Sequence, residues 1–223
     1  AAAGGFVKAN AGVNGIFRVG YDDALVSALC TPAADGVAPV STLDPKDRMG
    51  LVSDAFALAQ AGYADTVAAL KLLASYKGDT SRIVVQAITS GLGDLQSVMF
   101  EEPAEVQADL KRFALKLFSP LAAELGWEPV AGEAHENALL RPLVLSRAGK
   151  LGDEAVFAES KGRFGRYIGG EKEAIHPDLR EAVFGTVLRK GGQEEFDALI
   201  KLYKSESAAD QKVIILRALG SAP

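Results

Sequence analysis

Apolar residues in most of the chain recur at the three- and four-residue spacing of a single helix face. The clearest stripe lies at residues 104–121, where charged positions such as Asp109 and Lys116 face away from it. Glycine, proline and capping aspartate residues divide the pattern into segments. The segments predict helices at about residues 22–30, 44–62, 65–78, 81–100, 104–121, 134–147, 151–168, 178–190, 193–204 and 207–220.

The links between these helices are short, which favours antiparallel helix pairs. Stacked pairs predict an all-α fold, a right-handed α-α superhelix of HEAT/armadillo-like helix pairs. A closed helical bundle is the alternative. Pro142 falls inside one predicted helix, so we expect a kink or break near Arg141. Gly191 and Gly192 predict a left-handed cap at the end of the helix before them.

The start of the chain has a different pattern. Two β-prone runs, residues 6–9 and 16–19, flank a turn rich in asparagine and glycine, which predicts a short β-hairpin. An isolated hairpin is marginally stable in water, so it must lean on the helices or on a sheet outside this chain. We therefore expect two domains, a hairpin at residues 1–21 and an α-solenoid at residues 22–223.

Composition narrows the classes of function. The chain has 223 residues, 48% of them hydrophobic, and a net charge of -5, which predicts a packed core and argues against nucleic acid as a partner. Cys30 alone cannot form an intramolecular disulfide, and two histidines cannot supply a three-histidine metal site. No apolar run reaches the roughly 20 residues of a membrane span, so we expect no membrane partner.

The histidines and glycines offer little catalytic chemistry. His135 and Glu136 begin an H-E-x-x-H zinc motif, but Leu139 occupies its fifth position. His176 precedes a proline, which favours a helix-entry role. Four glycines lie among basic residues without the spacing of a phosphate-binding loop, which favours a frayed helix end, and they are Gly162, Gly165, Gly169 and Gly170.

Other conspicuous residues have structural explanations as well. Cys30 lies on an apolar face, which predicts a buried structural thiol. Trp127 is expected to anchor a loop against the helices. The acidic pairs at residues 22–23, 101–102 and 194–195 stand at predicted helix starts, where they complement the helix dipole. The residues by themselves therefore indicate a helical domain without an internal active site.

Four segments, taken together, carry a family resemblance. They are residues 6–22 (FVKANAGVNGIFRVGYD), residues 43–59 (LDPKDRMGLVSDAFALA), residues 125–141 with LGWE, GEAH and LLR, and residues 176–196 with HPDLR and GGQEEF. In this order and with these gaps they resemble the C-terminal helical domain of zinc aminopeptidases of the puromycin-sensitive type. Ile16 departs from that pattern, where the family usually has an aromatic residue.

The resemblance implies a noncatalytic role. In that family the catalytic zinc and its H-E-x-x-H helix lie in an upstream domain, so no catalytic or metal residue and no cofactor is expected in this chain. The helical domain closes over the catalytic domain and forms a chamber for peptide substrates. The implied partners are the upstream catalytic and β-sandwich domains of the same polypeptide and the peptides themselves, in the cytoplasm. The alternatives are an independent helical-repeat scaffold for a partner protein and an autonomous enzyme.

The resemblance and the helix pattern together predict structural roles for five residues. We expect structural roles for Asp47, Arg48, Asp54, Trp127 and Pro142, with each charged residue paired to another element.

Arg141 is the candidate for a residue of the substrate chamber, where its guanidinium could hold a peptide carboxylate. The alternative for Arg141 is an internal salt bridge with Glu133 or Glu136.

The last predicted helix is apolar on more than one side, which is unusual for a terminal solenoid repeat. We therefore expect this domain to be incomplete at its C-terminus and to expose an apolar patch there, which self-association could cover. The opening Ala-Ala-Ala-Gly-Gly does not resemble a signal peptide and indicates a piece of a longer polypeptide.

Overall fold

The computed structural model describes residues 6–222, so the first five residues of the predicted hairpin domain and Pro223 lie outside the described residues. This part of the chain is helical, which confirms the all-α fold class. Its α-helices are α1 (Asp23–Cys30), α2 (Pro45–Gln60), α3 (Thr66–Ala74), α4 (Arg82–Val98), α5 (Ala104–Leu125), α6 (His135–Lys150), α7 (Glu154–Ile168), α8 (Arg180–Lys190), α9 (Gln193–Ser205) and α10 (Ala209–Leu219). Short 3-10 helices lie at Ala11–Val13, Pro39–Thr42, Lys172–Ala174 and Pro177–Leu179.

The predicted β-hairpin is not confirmed, because residues 6–222 include no strand. Residues 6–21, which we call the N-terminal arm, contain the 3-10 turn Ala11–Val13 and pack on α2. Within the arm, the Tyr21 hydroxyl accepts a hydrogen bond from the Ala9 backbone N–H at 2.9 Å. The arm therefore lies on a helix and does not pair with itself as two strands.

The chain divides into two compact units, one that ends at Leu110 and one that begins at Lys111. In the first unit, α2 packs against α3 and α4, and α1 packs against α3. Asp22, Asp44 and Asp65 each cap the first turn of a helix by accepting a backbone N–H. The buried core of this unit is mainly aliphatic and includes Leu29, Leu51, Val52, Leu72, Leu73, Val84, Val85, Ile88 and Leu92.

In the second unit, α8 is the central helix and packs against α6, α7 and α10. Its residues are apolar on several sides, and the Phe184 ring packs edge-to-face with Phe164 and Tyr167 at centroid distances of 5.9 and 5.6 Å. Tight packing also appears between α6 and α8, where a Cβ added to Gly149 would lie 1.9 Å from the Thr186 hydroxyl oxygen.

Two features of this unit differ from what the sequence predicts. The helix α6 continues through Pro142 without a break near Arg141, although proline removes the N–H that would bond the Ala138 carbonyl. A kink at this position stays a prediction. Gly191 ends α8 in an extended conformation, with φ -74° and ψ 174°, and not in the left-handed one. The Glu195 carboxylate, which accepts the Gly192 N–H at 2.8 Å, caps the start of α9 instead.

The final helix α10 packs against α8 and α9. Ile215 and Ala218 are buried, whereas Val213 and Leu216 are 46% and 49% exposed. The apolar patch predicted for this helix is therefore present on the surface of the second unit.

Candidate functional site

Arg141 lies in α6 with its side chain only 4% exposed. Its Nη1 donates to Glu133 Oε1 at 3.0 Å, its Nη2 donates to the other carboxylate oxygen, and its Nε donates to the Leu125 carbonyl at 3.1 Å. The internal salt bridge considered as the alternative is thus present, and it is made with Glu133. A peptide carboxylate would have to displace Glu133, so the substrate-chamber role of Arg141 stays a prediction.

Arg48 lies on α2 and bonds a segment beyond α3. Its Nε donates to Asp79 Oδ2 at 2.8 Å and its Nη1 donates to the Leu43 carbonyl at 2.6 Å. The Tyr76 hydroxyl donates to the Arg48 carbonyl at 3.1 Å, and burial raises the pKa of that hydroxyl far above its ordinary value. The pair therefore joins the start of α2 to the turn before α4.

Two carboxylates on α2 hold the N-terminal arm. Asp47 accepts the Gly12 backbone N–H at 2.7 Å. Asp54 accepts the Val19 backbone N–H at 3.1 Å and an Nη1 hydrogen of Arg18 at 3.0 Å. These bonds satisfy backbone groups of the arm that strand pairing would otherwise have to satisfy.

Trp127 lies beside Arg163 of α7, whose guanidinium carbon is 5.0 Å from the centroid of the indole ring. The same guanidinium bonds Glu159 at 2.8 Å, Glu128 at 2.6 Å and the Ala174 carbonyl at 3.2 Å. Arg163 thus attaches the loop that contains Trp127, and the segment around residue 174, to one helix.

The histidines are not brought together into a metal site. His135 opens α6, and the Nδ1 atom of His176 accepts the Asp178 backbone N–H at 3.3 Å at a 3-10 helix entry. Among residues 6–222, no group of three or more histidine, cysteine, aspartate or glutamate side chains is placed to hold a metal ion.

The glycine-rich segment and Cys30 are the remaining candidates that the sequence offers for a chemical role. Gly162 and Gly165 lie inside α7, which is regular up to Ile168, so the frayed helix end expected there is wrong for these two positions. Cys30 is half-buried, not fully buried, and burial raises the pKa of its thiol. The raised pKa keeps this thiol protonated at neutral pH, which is unfavourable for a nucleophile.

In the first unit, a groove of about 760 Å³ lies between α2 and α4. We call it the α2–α4 groove. Its apolar lining comes from both helices and includes Met49, Phe56, Ala57, Ile83, Ala87 and Leu95. Its polar lining includes Arg18, Ser53, Gln60, Gln86, Ser90 and Asp94. A volume of this size with a mixed lining lies in the range of small-molecule sites.

A close approach of α2 to α4 shapes this groove. A Cβ added to Gly91 of α4 would lie 2.1 to 2.6 Å from three atoms of the Phe56 ring. Real Cβ atoms do not approach carbon atoms so closely, so the ring occupies its place only because residue 91 is glycine.

Arg18 supplies the positive charge of the groove. Its side chain is 57% exposed, and its one described hydrogen bond joins Nη1 to Asp54. The remaining guanidinium hydrogens can donate to a carboxylate in the groove. Asp94, on α4, supplies a negative charge to the same lining. The groove therefore suits a ligand with an apolar group and with an acceptor that the Arg18 guanidinium can bond.

Sequence reasoning missed this groove, although its signal is visible. On α4 the lining residues Ile83, Ala87, Gly91 and Leu95 follow one another at intervals of four. Small residues at this spacing mark a helix face that another backbone can approach. Whether the space beside that face is filled or open depends on the neighbouring helix, which the sequence does not specify.

No helix among the described residues 6–222 is both long and apolar enough to cross a lipid bilayer.

Comparison with protein families gives a match along almost the entire chain. Residues 6–223 match the family model described as "ERAP1-like C-terminal domain". The chain is also similar to "Aminopeptidase 2" of Candida albicans, with 32% identity over 216 residues, which is 96% of this chain and 23% of that protein. Its identity to "Alanine/arginine aminopeptidase" of Saccharomyces cerevisiae is 32% over 215 residues, or 96% of this chain and 24% of the relative.

A third relative is "Puromycin-sensitive aminopeptidase" of Caenorhabditis elegans, which is 33% identical over 202 residues. That alignment covers 90% of this chain and 21% of the relative. The chain thus spans less than a quarter of the length of these curated relatives.

Proposed function

The chain belongs to the ERAP1-like C-terminal domain family, and we propose on this premise that it is the noncatalytic cap of a zinc-dependent aminopeptidase, closes the peptide chamber and helps to position peptide substrates. The names of the relatives support the proposal, since they are aminopeptidases that match this chain over 90% or more of its length. In this proposal the zinc ion and the catalytic residues belong to an upstream domain of the same polypeptide.

The α2–α4 groove is the observation that carries the substrate-positioning part of the proposal. Aminopeptidases remove the first residue of a peptide, so a surface that holds the later residues affects only substrates long enough to reach it. The groove offers such a segment a volume of about 760 Å³, an apolar lining and the Arg18 guanidinium for a carboxylate. It therefore predicts a contribution to binding that depends on peptide length.

Two serines of α4 provide a matched test. Ser90 is exposed and lines the groove, whereas Ser97 is exposed and does not line it. In the full-length product of the gene, we expect Ser90→Phe to raise KM for peptides of eight or more residues, on the order of tenfold, and to leave the hydrolysis of a single-residue chromogenic amide unchanged. Ser97→Phe should change neither value.

Two results would contradict the proposal. One is an equal KM for long peptides in the wild-type and Ser90→Phe proteins. The other is hydrolysis of aminoacyl amides by the isolated 223-residue chain, with zinc bound in stoichiometric amount. The second result would also show that the chain is an enzyme by itself.

The finer predictions about architecture and location are part of the same proposal. The stacking of the helix pairs into a right-handed superhelix and the cytoplasmic location of the polypeptide stay predictions. The independent helical-repeat scaffold stays the alternative, and it predicts that a partner protein, not a peptide substrate, binds the chain.

A further inference from the structure

The aromatic ring of Phe56 lines the α2–α4 groove and packs against the backbone of Gly91. It is half-buried, it lines the groove, and it fills the position where any residue other than glycine at position 91 would carry its Cβ. Because Gly91 is buried and α2 packs closely on α4, the ring has a fixed support behind it.

The size of the Phe56 ring affects the space that is open between α2 and α4. Phe56 is the one aromatic side chain among the groove-lining residues described, and the neighbouring positions 57 and 87 are alanine. Alanine adds little volume beside the ring, and the longer apolar side chains of the lining are Met49, Ile83 and Leu95. The Phe56 ring lies against the Gly91 backbone, so its position and size affect the space between the two helices. Removing the ring opens new space between α2 and α4, whereas pushing it outward fills the space that exists.

We propose that Phe56, supported by the Gly91 backbone, is the specificity-determining residue that limits the size of the peptide side chain admitted to the α2–α4 groove. The inference rests on the proposed function, because it takes the occupant of the groove to be a peptide segment. The mixed lining supports that occupant, since an apolar side chain fits the floor and a nearby carboxylate fits the exposed guanidinium of Arg18.

The experiment measures the affinity of the purified chain for a set of probe peptides by isothermal titration calorimetry. The probes are N-acetylated, alanine-rich nonapeptides that each contain one glutamate and that differ at one position, which is alanine, leucine or tryptophan. For the wild-type chain we expect the leucine peptide to bind at least fivefold more tightly than the alanine and tryptophan peptides. For Phe56→Ala we expect the tryptophan peptide to gain at least fivefold.

Substitutions of two glycines on α4 test the same inference by changing the helix against which the Phe56 ring packs. Gly91→Ala should push the Phe56 ring into the groove and weaken the leucine peptide at least fivefold. Gly93→Ala is the matched control, because a Cβ at position 93 has no heavy atom within 4 Å. The control should leave the affinities for all three peptides unchanged. Phe56→Leu keeps a smaller apolar side chain in place, so its affinity for the tryptophan peptide should lie between those of wild type and Phe56→Ala.

The outcomes separate this inference from the proposal on which it rests. If the peptides bind and their ranking is the same in wild type, Phe56→Ala and Phe56→Leu, the role of Phe56 is wrong and the groove keeps its proposed function. If neither wild type nor any variant binds any of the peptides, both the peptide-positioning role and the role of Phe56 are wrong. Circular dichroism and the melting temperature of each variant establish that the proteins compared are folded.

Discussion

The guanidinium of Arg141 bonds both carboxylate oxygens of Glu133, which precedes it by eight residues and lies outside the helix that carries Arg141. The third donor of this guanidinium bonds the carbonyl of Leu125, the last residue of α5. Carbonyls at a helix C-terminus have no partner within the helix, and a positive charge there is favourable. One side chain thus ties α6 to the end of α5 and to the loop between them.

Replacing this residue should destabilise the chain. Arg141→Met keeps much of the side-chain volume but leaves Glu133 and the Leu125 carbonyl without their donor. The buried hydrogen bond from the charged Arg141 guanidinium to the Leu125 carbonyl contributes about 1.5 to 3 kcal/mol, so we expect the free energy of unfolding to fall by about 2 kcal/mol. Urea denaturation followed by circular dichroism measures the change. Arg189→Met, at an exposed position of α8, is the control and should stay within about 0.5 kcal/mol of wild type.

The same pair predicts a dependence of stability on pH. Its bond to Arg141 holds the pKa of Glu133 below the ordinary value of 4.5. A carboxyl with a lowered pKa in the folded state stabilises the fold above its unfolded pKa, and it loses that contribution as the pH falls through the folded pKa. The difference in urea midpoint between wild type and Arg141→Met should therefore narrow as the pH falls below about 4.5. A difference that stays constant from pH 7 to pH 3 would count against this linkage.

Two glycines on α4 should differ in their response to alanine. Gly93→Ala meets open space and reduces the entropy of the unfolded chain, so we expect a gain of about 0.5 to 1 kcal/mol in the free energy of unfolding. Gly91→Ala gains the same helix propensity but must displace the Phe56 ring, so it should be less stable than Gly93→Ala. Thermal unfolding of the two variants compares them directly. Equal melting temperatures would show that the ring moves without cost.

The helices could be predicted from the sequence because their ends carry local signals. Asp22, Asp44 and Asp65 each accept a backbone N–H of the first turn, and Pro45 opens α2, so these boundaries follow from nearby residues. The arm could not be predicted in the same way. Its β-prone composition indicates strands, but its backbone groups find carboxylates of α2 that are 35 residues away in sequence.

The sequence predicts less of the candidate site than of the fold. The partners of Arg141 were limited to two neighbouring glutamates, and the structure shows the bond to Glu133. The α2–α4 groove depends on how closely two helices approach, and the Phe56 ring on Gly91 is a contact between residues of different helices. Helix periodicity indicates which face is apolar, but it does not indicate how much of that face stays open.

The exposed side of α10 predicts self-association of this chain. Val213 and Leu216 are about half exposed and lie three residues apart, so they share one face of the helix, while Ile215 is buried in the second unit. If two chains associate through this face about a two-fold axis, each chain contributes the same residues, and one substitution acts twice. Leu216→Glu should therefore raise the dimer dissociation constant by about tenfold or more, because burying a leucine side chain contributes about 1.5 to 3 kcal/mol.

Sedimentation velocity over a range of chain concentrations measures the change, and Ser205→Glu, at an exposed position on α9, adds the same charge as a control. A wild-type chain that sediments as a monomer at every concentration would contradict the prediction, and so would an equal response of the two variants.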